Sequence, residues 1–378
     1  MIIRPGVTEA GFRYGLEHEI ALLRPDGRFA DFTNTSFQEL QAIIDSLPVH
    51  QSDYPGLRVG DLAIKHKRWY VEGFERYGPT GELLRCDPKG IEVRTPICDD
   101  IACAVRQLKA DYRLFASQAA RAGFLPVVVS HNPHQTAYRI EPELNAWECA
   151  QRRACPEDRT AHLHMTTYGP DANISWARLT EPQVVDVGAK LTFYSPYIIP
   201  FTFSSPFYQG GLWGGLSVRT FTRTGVRPAV RVFLADPSRI IVSDPSLTKL
   251  ARIEAEVGRI EFKAFDACPD LDLYADLLTL LEGLVLDQRL PGRRVTPDAE
   301  LHRASAWSGF DDPEIRAGAE AVLGAAEAAL SEPDDLGRIR SLMGRLETRA
   351  CPARQMIERY EAGDEVAGLV KKTCEAQA

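Results

Sequence analysis

Arg259-Ile260-Glu261-Phe262-Lys263-Ala264-Phe265-Asp266, late in the chain, opens with strict alternation of charged and apolar residues. In an extended strand successive side chains point to opposite faces, so Arg259, Glu261 and Lys263 share one face while Ile260, Phe262 and Ala264 share the other. One face is charged and the other apolar. The arrangement recurs upstream in Glu17 with Glu19, in Glu92 with Arg94, and in His162 with His164. Four such strands are expected to turn their polar faces to one common site.

Outward from that stretch, residues 226–234 read as extended and 253–266 as a strand, separated by turn-rich sequence. Residues 12–23 alternate well enough for a long first strand. Pro25-Asp26-Gly27 then makes a turn into a second extended piece at 29–32. Phe37, Leu40, Ile43, Ile44 and Leu47 have helical spacing behind Ser36 as N-cap, with Pro48 closing the helix. A hairpin is expected over 63–84, turning at Gly78-Pro79-Thr80-Gly81, followed by a strand at 92–96 that ends in proline. Asp99 and Asp100 cap a long helix that stops at Gly123, and a short strand follows at 125–130. The His-x-His strand is expected at 161–168 and a helix at 181–191. From Asp270 onward the pattern turns helical, at 271–286, 313–330, 336–346, 353–362 and 366–374.

Strands early and helices late imply an α+β fold, a curved and mainly antiparallel sheet forming an active-site funnel, flanked by helices and with a helical C-terminal part. No internal repeat or long linker is visible. A single catalytic domain over 1–378 is expected, with a sheet-rich core at 12–290 and a helical extension at 291–378 packed on it.

Charged residues make up 25% of the chain and hydrophobic ones 44%, the balance of a folded globular protein and not of a disordered one. The net charge of −8 argues against coating a nucleic acid or an anionic membrane, though not against a local basic pocket for phosphates. No stretch reaches the roughly 18 consecutive apolar residues of a membrane span, so a cytoplasmic location is the default. Eight cysteines occur without a Cys-x-x-Cys pair, which supports neither a zinc ribbon nor a thioredoxin-type motif.

Glu17 and Glu19 on one strand face suit a hard cation such as magnesium, which prefers oxygen ligands; a solvent-facing polar edge has the same pattern. Glu92 could join them while Arg94 binds a carboxylate or phosphate by its two-pronged guanidinium, or the two could form an ordinary cross-strand ion pair. For His162 and His164, metal ligation by one and phosphate contact by the other stands beside one ligand and one structural histidine. Glycines at 210, 211, 214 and 215 would let the backbone approach phosphates, with Arg219 neutralising charge behind them. That run matches neither common nucleotide-binding glycine motif. Lys65-His66-Lys67-Arg68, followed by Trp69 and Tyr70, reads as a solvated hairpin or a substrate flap.

Taken in order, these motifs resemble the carboxylate–amine ligases of the bacterial glutamate–cysteine ligase type 2 group, which have a glutamine synthetase-like catalytic fold. Gly15-Leu16-Glu17-His18-Glu19 is similar to that group's opening Gly-x-Glu-x-Glu strand, and Ile91 to Pro96 to its Glu-x-x-Thr-Pro strand. His162-Leu163-His164-Met165 resembles its His-x-His strand. Ser204-Ser205-Pro206-Phe207 with Gly214 to Arg219 resembles its serine- and glycine-containing segment, and Arg259 to Asp266 its late Glu-x-Arg-x-x-Asp strand, with Lys263 in place of the usual arginine. Cys351-Pro352-Ala353-Arg354-Gln355 fits the group's ending.

The resemblance implies an ATP-dependent enzyme that phosphorylates the side-chain carboxylate of glutamate or a related acid and couples the acyl phosphate to an amine. Magnesium, or manganese, would be held by Glu17, Glu19, Glu92, His162, His164 and Glu261. Gly214, Gly215, Ser217, Arg219 and Lys263 would meet the nucleotide, with Arg219, Glu261 and Arg259 acting in catalysis. Arg94, Trp69 and Tyr70 would face the substrate. The implied partners are small amino-acid and amine substrates, with neither nucleic acid nor membrane, and homo-oligomerisation is compatible. The alternatives on the same fold are a phosphotransferase acting on a guanidino or carboxylate group without amide formation, and a non-catalytic binding protein.

Overall fold

The structure, a computed structural model, describes residues 11–54, 56–57 and 68–375. The basic residues Lys65, His66 and Lys67 and the start of the expected hairpin at Ala63 lie outside them. The strands are β1 (Phe12–Leu23), β2 (Trp69–Tyr77), β3 (Leu83–Arg94), β4 (Leu125–Val127), β5 (Pro170–Trp176), β6 (Phe207–Tyr208), β7 (Gly211–Leu212), β8 (Val230–Leu234), β9 (Thr248–Leu250) and β10 (Ile260–Phe262). The helices before the last sheet strand are α1 (Phe37–Asp45), α2 (Ile101–Arg121), α3 (Ala146–Ala154), α4 (Pro156–Arg159), α5 (Glu181–Ile198) and α6 (Val218–Arg223). After it come α7 (Leu273–Leu286), α8 (Ala299–Ser308), α9 (Pro313–Ala329), α10 (Pro333–Glu347), α11 (Pro352–Glu361) and α12 (Val366–Glu375).

The main sheet runs β2-β3-β1-β5-β10-β8-β9, with β4 paired to the far end of β1. All pairings are antiparallel except that of β8 with β9, and the sheet curls into a half-barrel. This is the curved, mainly antiparallel sheet flanked by helices that the sequence implies. Register sets a polar row across its inner face. Glu17 stands opposite Arg94 on one side and Asp171 on the other, Glu19 opposite Glu92, and Glu261 opposite Asn173 and Arg231.

The outer face is apolar: Leu16, Ile20, Ile91, Val93, Ile174, Ile260 and Phe262 are all buried, each contributing roughly 1.5–3 kcal/mol. Helices α2, α5 and α7 cover that face, and α9 and α10 pack on α5 and α7 in turn. A second, smaller apolar cluster joins Leu23, Val127 and Val129 to Val366, Leu369 and Val370 of α12. Among the described residues no helix is long and apolar enough to cross a membrane.

Several expectations need correction. Residues 161–166 form a 3-10 helix and not a strand, closed by local bonds such as Leu163 N–H to Thr160 O and Thr167 N–H to His164 O. The place beside β1 belongs to β5, where Asp171, Asn173 and Ser175 alternate with Ala172, Ile174 and Trp176. The late strand is short: Glu254–Glu256 is a 3-10 turn, and only Ile260–Phe262 joins the sheet. The piece after the first turn makes a single bridge, Leu23 to Phe29. Helix α5 continues beyond Leu191 through Pro196, and α8, capped by Asp298, was not foreseen.

Candidate functional site

The inner face of the sheet lines a cavity of about 980 Å³. Two groups of carboxylates stand on its floor. Glu17, Asp171 and Glu261 have oxygens within 4.8 Å of one another, as do Glu19, Glu72 and Glu92. The two-residue period of β1 puts Glu17 and Glu19 on one face, where Glu17 joins Asp171 of β5 and Glu261 of β10, and Glu19 joins Glu72 of β2 and Glu92 of β3.

The two groups differ in their counter-ions. In the first, Lys263 Nζ contacts Asp171 Oδ2 and lies 3.1 Å from Glu261 Oε2, while Arg259 reaches Glu261 at 3.4 Å and Glu17 at 3.7 Å. Arg231 stands 3.9 Å from Glu261. Burial opposes ionisation of Glu261, yet Lys263, Arg259 and Arg231 hold its pKa down to about 2. Asp171 is pushed up to about 6 by burial, against the pull of Lys263 and with the push of Glu261 and Glu17.

The second group has one lysine. Lys89, fully buried, donates to Glu19 Oε1 at 2.6 Å and to the carbonyls of Thr167 and His164 at 2.9 and 3.0 Å. Burial raises the Glu19 pKa, but Lys89, Arg219 and the Gly169 N–H together outweigh it and the net direction is down. Glu72 is pushed up to about 8 by burial, with Lys89 opposing and Glu19 and Asp171 adding. Burial drives Glu92 well above the usual carboxylate range, with Glu17, Glu72 and Glu19 reinforcing it. Glu92 Oε1 is buried and has no hydrogen-bond partner among the described residues. Three clustered carboxylates with one cation and an orphaned oxygen suit a hard divalent ion such as Mg2+ or Mn2+, which takes oxygen ligands.

Much of the remaining lining is cationic. Arg219, Arg223, Arg227 and Arg231 follow at intervals of four residues, joined by Arg152, Lys249 and Arg252. Arg219 is buried and fixed by the carbonyls of Lys263 and Ala264 at 3.2 and 3.3 Å. Arg223 bonds only the Lys263 carbonyl, at 3.5 Å, and no carboxylate among the described residues comes within ion-pair distance of it. Burial and the neighbouring Arg219 and Arg227 drive its pKa well below the usual guanidinium value. One part of the cavity is short of a cation and another short of an anion.

The expected site residues separate accordingly. Glu17, Glu19, Glu92, Arg94, Tyr70, Arg219, Arg259, Glu261, Lys263 and His164 all line the cavity, the Arg94 guanidinium lying 5.3 Å from the centre of the Tyr70 ring. His164 is kept neutral by burial, Lys89 and Arg227, its Nε2 lying 3.3 Å from Gly73 O and 3.9 Å from Glu72. His162 is not part of the lining. Trp69 points into the core, its indole N–H on Asp111 O at 3.1 Å, while Arg68 is buried between Asp53 and Asp111. Arg68 is therefore no part of a solvated face.

Gly214, Gly215 and Ser217 also lie off the cavity lining. A Cβ on Gly215 would fall 2.2 Å from the Trp213 ring, and Trp213 stacks edgewise on Trp307 at 4.9 Å. The glycine run makes room for indoles. Ser217 caps α6 by accepting the Thr220 N–H at 2.9 Å, and its hydroxyl donates to Asp266 Oδ1 at 2.9 Å. Buried Asp266 also accepts from Ser205 Oγ and Ser204 N–H, so the last residue of the opening stretch anchors the start of α6, the helix that carries Arg219.

Sequence reasoning missed Glu72, Lys89, Asp171 and the arginines at 223, 227 and 231. For Asp171 the signal was the alternation of residues 171–176, and for the arginines it was the spacing of four.

No family model matches the chain. A Rhodospirillum rubrum protein provisionally named glutamate–cysteine ligase 2 is 26% identical over 217 residues, 51% of each chain. The chain thus spans about half the length of the curated relative it matches. A glutamate–cysteine ligase from Francisella tularensis, solved in complex with AMP, superposes over 98% of this chain and 89% of its own, with a TM-score of 0.59 and 10% identity. A bifunctional glutathione synthetase from Pasteurella multocida matches 97% of this chain and 52% of its own, with a TM-score of 0.59 and 13% identity. The chain has the fold of these glutamate–cysteine ligase and glutathione synthetase structures, and its sequence is similar to a glutamate–cysteine ligase 2.

Proposed function

We propose that the protein is an ATP-dependent carboxylate–amine ligase, using the side-chain carboxylate of glutamate or a related acid. The observation that carries this reading is the pair of opposed charge deficits in one cavity. Among the described residues Glu92 Oε1 has no hydrogen-bond partner, which marks the side short of a cation, and Arg223 has no carboxylate in reach, which marks the side short of an anion. A metal–polyphosphate complex supplies both charges, and the ligase similarities narrow the chemistry to acyl phosphate formation.

Glu19, Glu72 and Glu92 would hold the divalent ion, Mg2+ or Mn2+. Such an ion, when bound, withdraws charge from the phosphoryl oxygens. Arg219, Arg223 and Arg227 hold those oxygens through charge-assisted hydrogen bonds, which places the γ-phosphorus against the acid. Arg94, over the Tyr70 ring, faces the acid's other charged groups. A carboxylate oxygen of the acid attacks the γ-phosphorus and the bond to the β–γ bridging oxygen breaks, releasing ADP. The amine nitrogen then attacks the acyl carbon, phosphate leaves with the C–O bonding pair, and the nitrogen gives up a proton.

The test is ADP release with L-glutamate and a panel of amines including cysteine, with amide formation followed by mass spectrometry. Amide formed in step with ADP, and lost in Glu92→Gln, supports the ligase. ADP with a stable phosphorylated product and no amide would leave a phosphotransferase, and no turnover at all would sink both.

A further inference from the structure

We infer that the ammonium of Lys263 permanently occupies the cation position of the Glu17–Asp171–Glu261 group, so that this group takes no divalent ion. The inference rests on the proposed binding of a metal in the same cavity and concerns how many ions the cavity takes.

Charge and distance carry it. Three carboxylates face three cations: Lys263 on Asp171 and Glu261, Arg259 on Glu17 and Glu261, and Arg231 on Glu261. Of the three, Lys263 alone is confined to this group, since Arg259 also reaches Glu256 at 3.7 Å and Arg231 lies nearer Glu157, at 3.6 Å. Lys263 enters from the strand that bears Glu261, two residues on and on the same face, so the backbone holds the ammonium over the carboxylates. A divalent ion sharing Glu261 and Asp171 would sit against that ammonium, in a place where water screens little. By contrast Glu19, Glu72 and Glu92 have one ion-paired lysine, Lys89, among the described residues, so a divalent ion can add its charge to three carboxylates there without meeting a second ammonium. A lysine here differs from an arginine in kind: it is a compact point charge of the size of a small ion's first contacts, where a planar guanidinium would spread over the edge of the group.

The test counts Mn2+ bound by the nucleotide-free protein, from the free-ion signal in electron paramagnetic resonance. Expected is one tightly held ion in the unaltered chain, none in Glu92→Gln, still one in Asp171→Asn, and a second gained in Lys263→Met. Two ions in the unaltered chain, one of them lost in Asp171→Asn, would overturn the inference, as would a folded Lys263→Met chain that gains none. Should Lys263→Met fail to fold, Asp171→Asn decides alone: an unchanged count supports the inference and the loss of an ion overturns it. If the unaltered chain holds no Mn2+ while Lys263→Met holds one, Lys263 fills its position as inferred and it is the metal site at Glu19, Glu72 and Glu92 that fails.

Discussion

Lys89 Nζ lies 2.6 Å from Glu19 Oε1, with its other donors on two backbone carbonyls, so the lysine is fully buried and fully bonded. Removing one partner of such a pair leaves a buried charge alone, at about 3–5 kcal/mol. Lys89→Met is expected to lose roughly that much stability in urea unfolding. Lys89→Met combined with Glu19→Gln should lose less than Lys89→Met alone, which a double-mutant cycle measures.

Arg223 carries charge with no carboxylate partner among the described residues. Arg223→Met should therefore leave thermal stability unchanged or slightly raised. With a phosphate oxygen as its intended partner, a charged hydrogen bond worth about 1.5–3 kcal/mol is lost. The KM for ATP should rise roughly 10–100-fold. A fall in Tm without a change in KM would assign Arg223 to the fold instead.

His302 provides a pH prediction away from the carboxylates. Its Nε2 lies 2.8 Å from Ser195 Oγ, whose own hydrogen goes to Thr192 O. Burial, with Arg223 adding, lowers the His302 pKa from 6.5 to about 4. Below pH 6.5 the unfolded chain takes up a proton that the folded chain refuses, so stability falls with falling pH until about pH 4. The gap is worth about 3 kcal/mol at about 1.4 kcal/mol per pH unit. The stability advantage of the natural chain over His302→Gln should shrink by about that amount between pH 7 and 4, read from urea midpoints at each pH.

Gly215→Ala tests the role of the glycine run. The added Cβ meets the Trp213 ring, and overpacking of this kind costs about 1–3 kcal/mol. The folded fraction should keep its KM for ATP. A large rise in that KM at unchanged stability would restore the glycines to the nucleotide.

Legibility in the sequence followed the length of each pattern. Strand β1 alternates over twelve residues, and both its ends and the facing of Glu17 and Glu19 could be read directly. The stretch at 259–266 showed which side chains share a face, although only three of its residues enter the sheet. Its flanks still bond to β8 and the residue just before it, through Gly258 N–H to Phe233 O and Lys263 N–H to Ala229 O, without extending the paired strand. Glu72 was hidden by a register shift between Glu72 and Gly73, which breaks the alternation just where it would have exposed the carboxylate. His162-Leu163-His164 has a strand's alternation but closes its bonds within a single turn, while the plainer Asp171-Ala172-Asn173 takes the ladder. Of the four spaced arginines only Arg219 and Arg223 lie on α6, and the chain beyond it delivers Arg227 and Arg231. Their spacing of four is therefore not the period of one helix.

The opposed deficits of the cavity also fix an order of preference among ligands. An ion that fills the Glu19–Glu72–Glu92 side relieves repulsion that a polyphosphate would otherwise meet, and a polyphosphate against the arginines does the same for the ion. Binding of each strengthens binding of the other by the same factor. Nucleotide stripped of its metal, in excess, would therefore act as a weak competitor and not as a substrate.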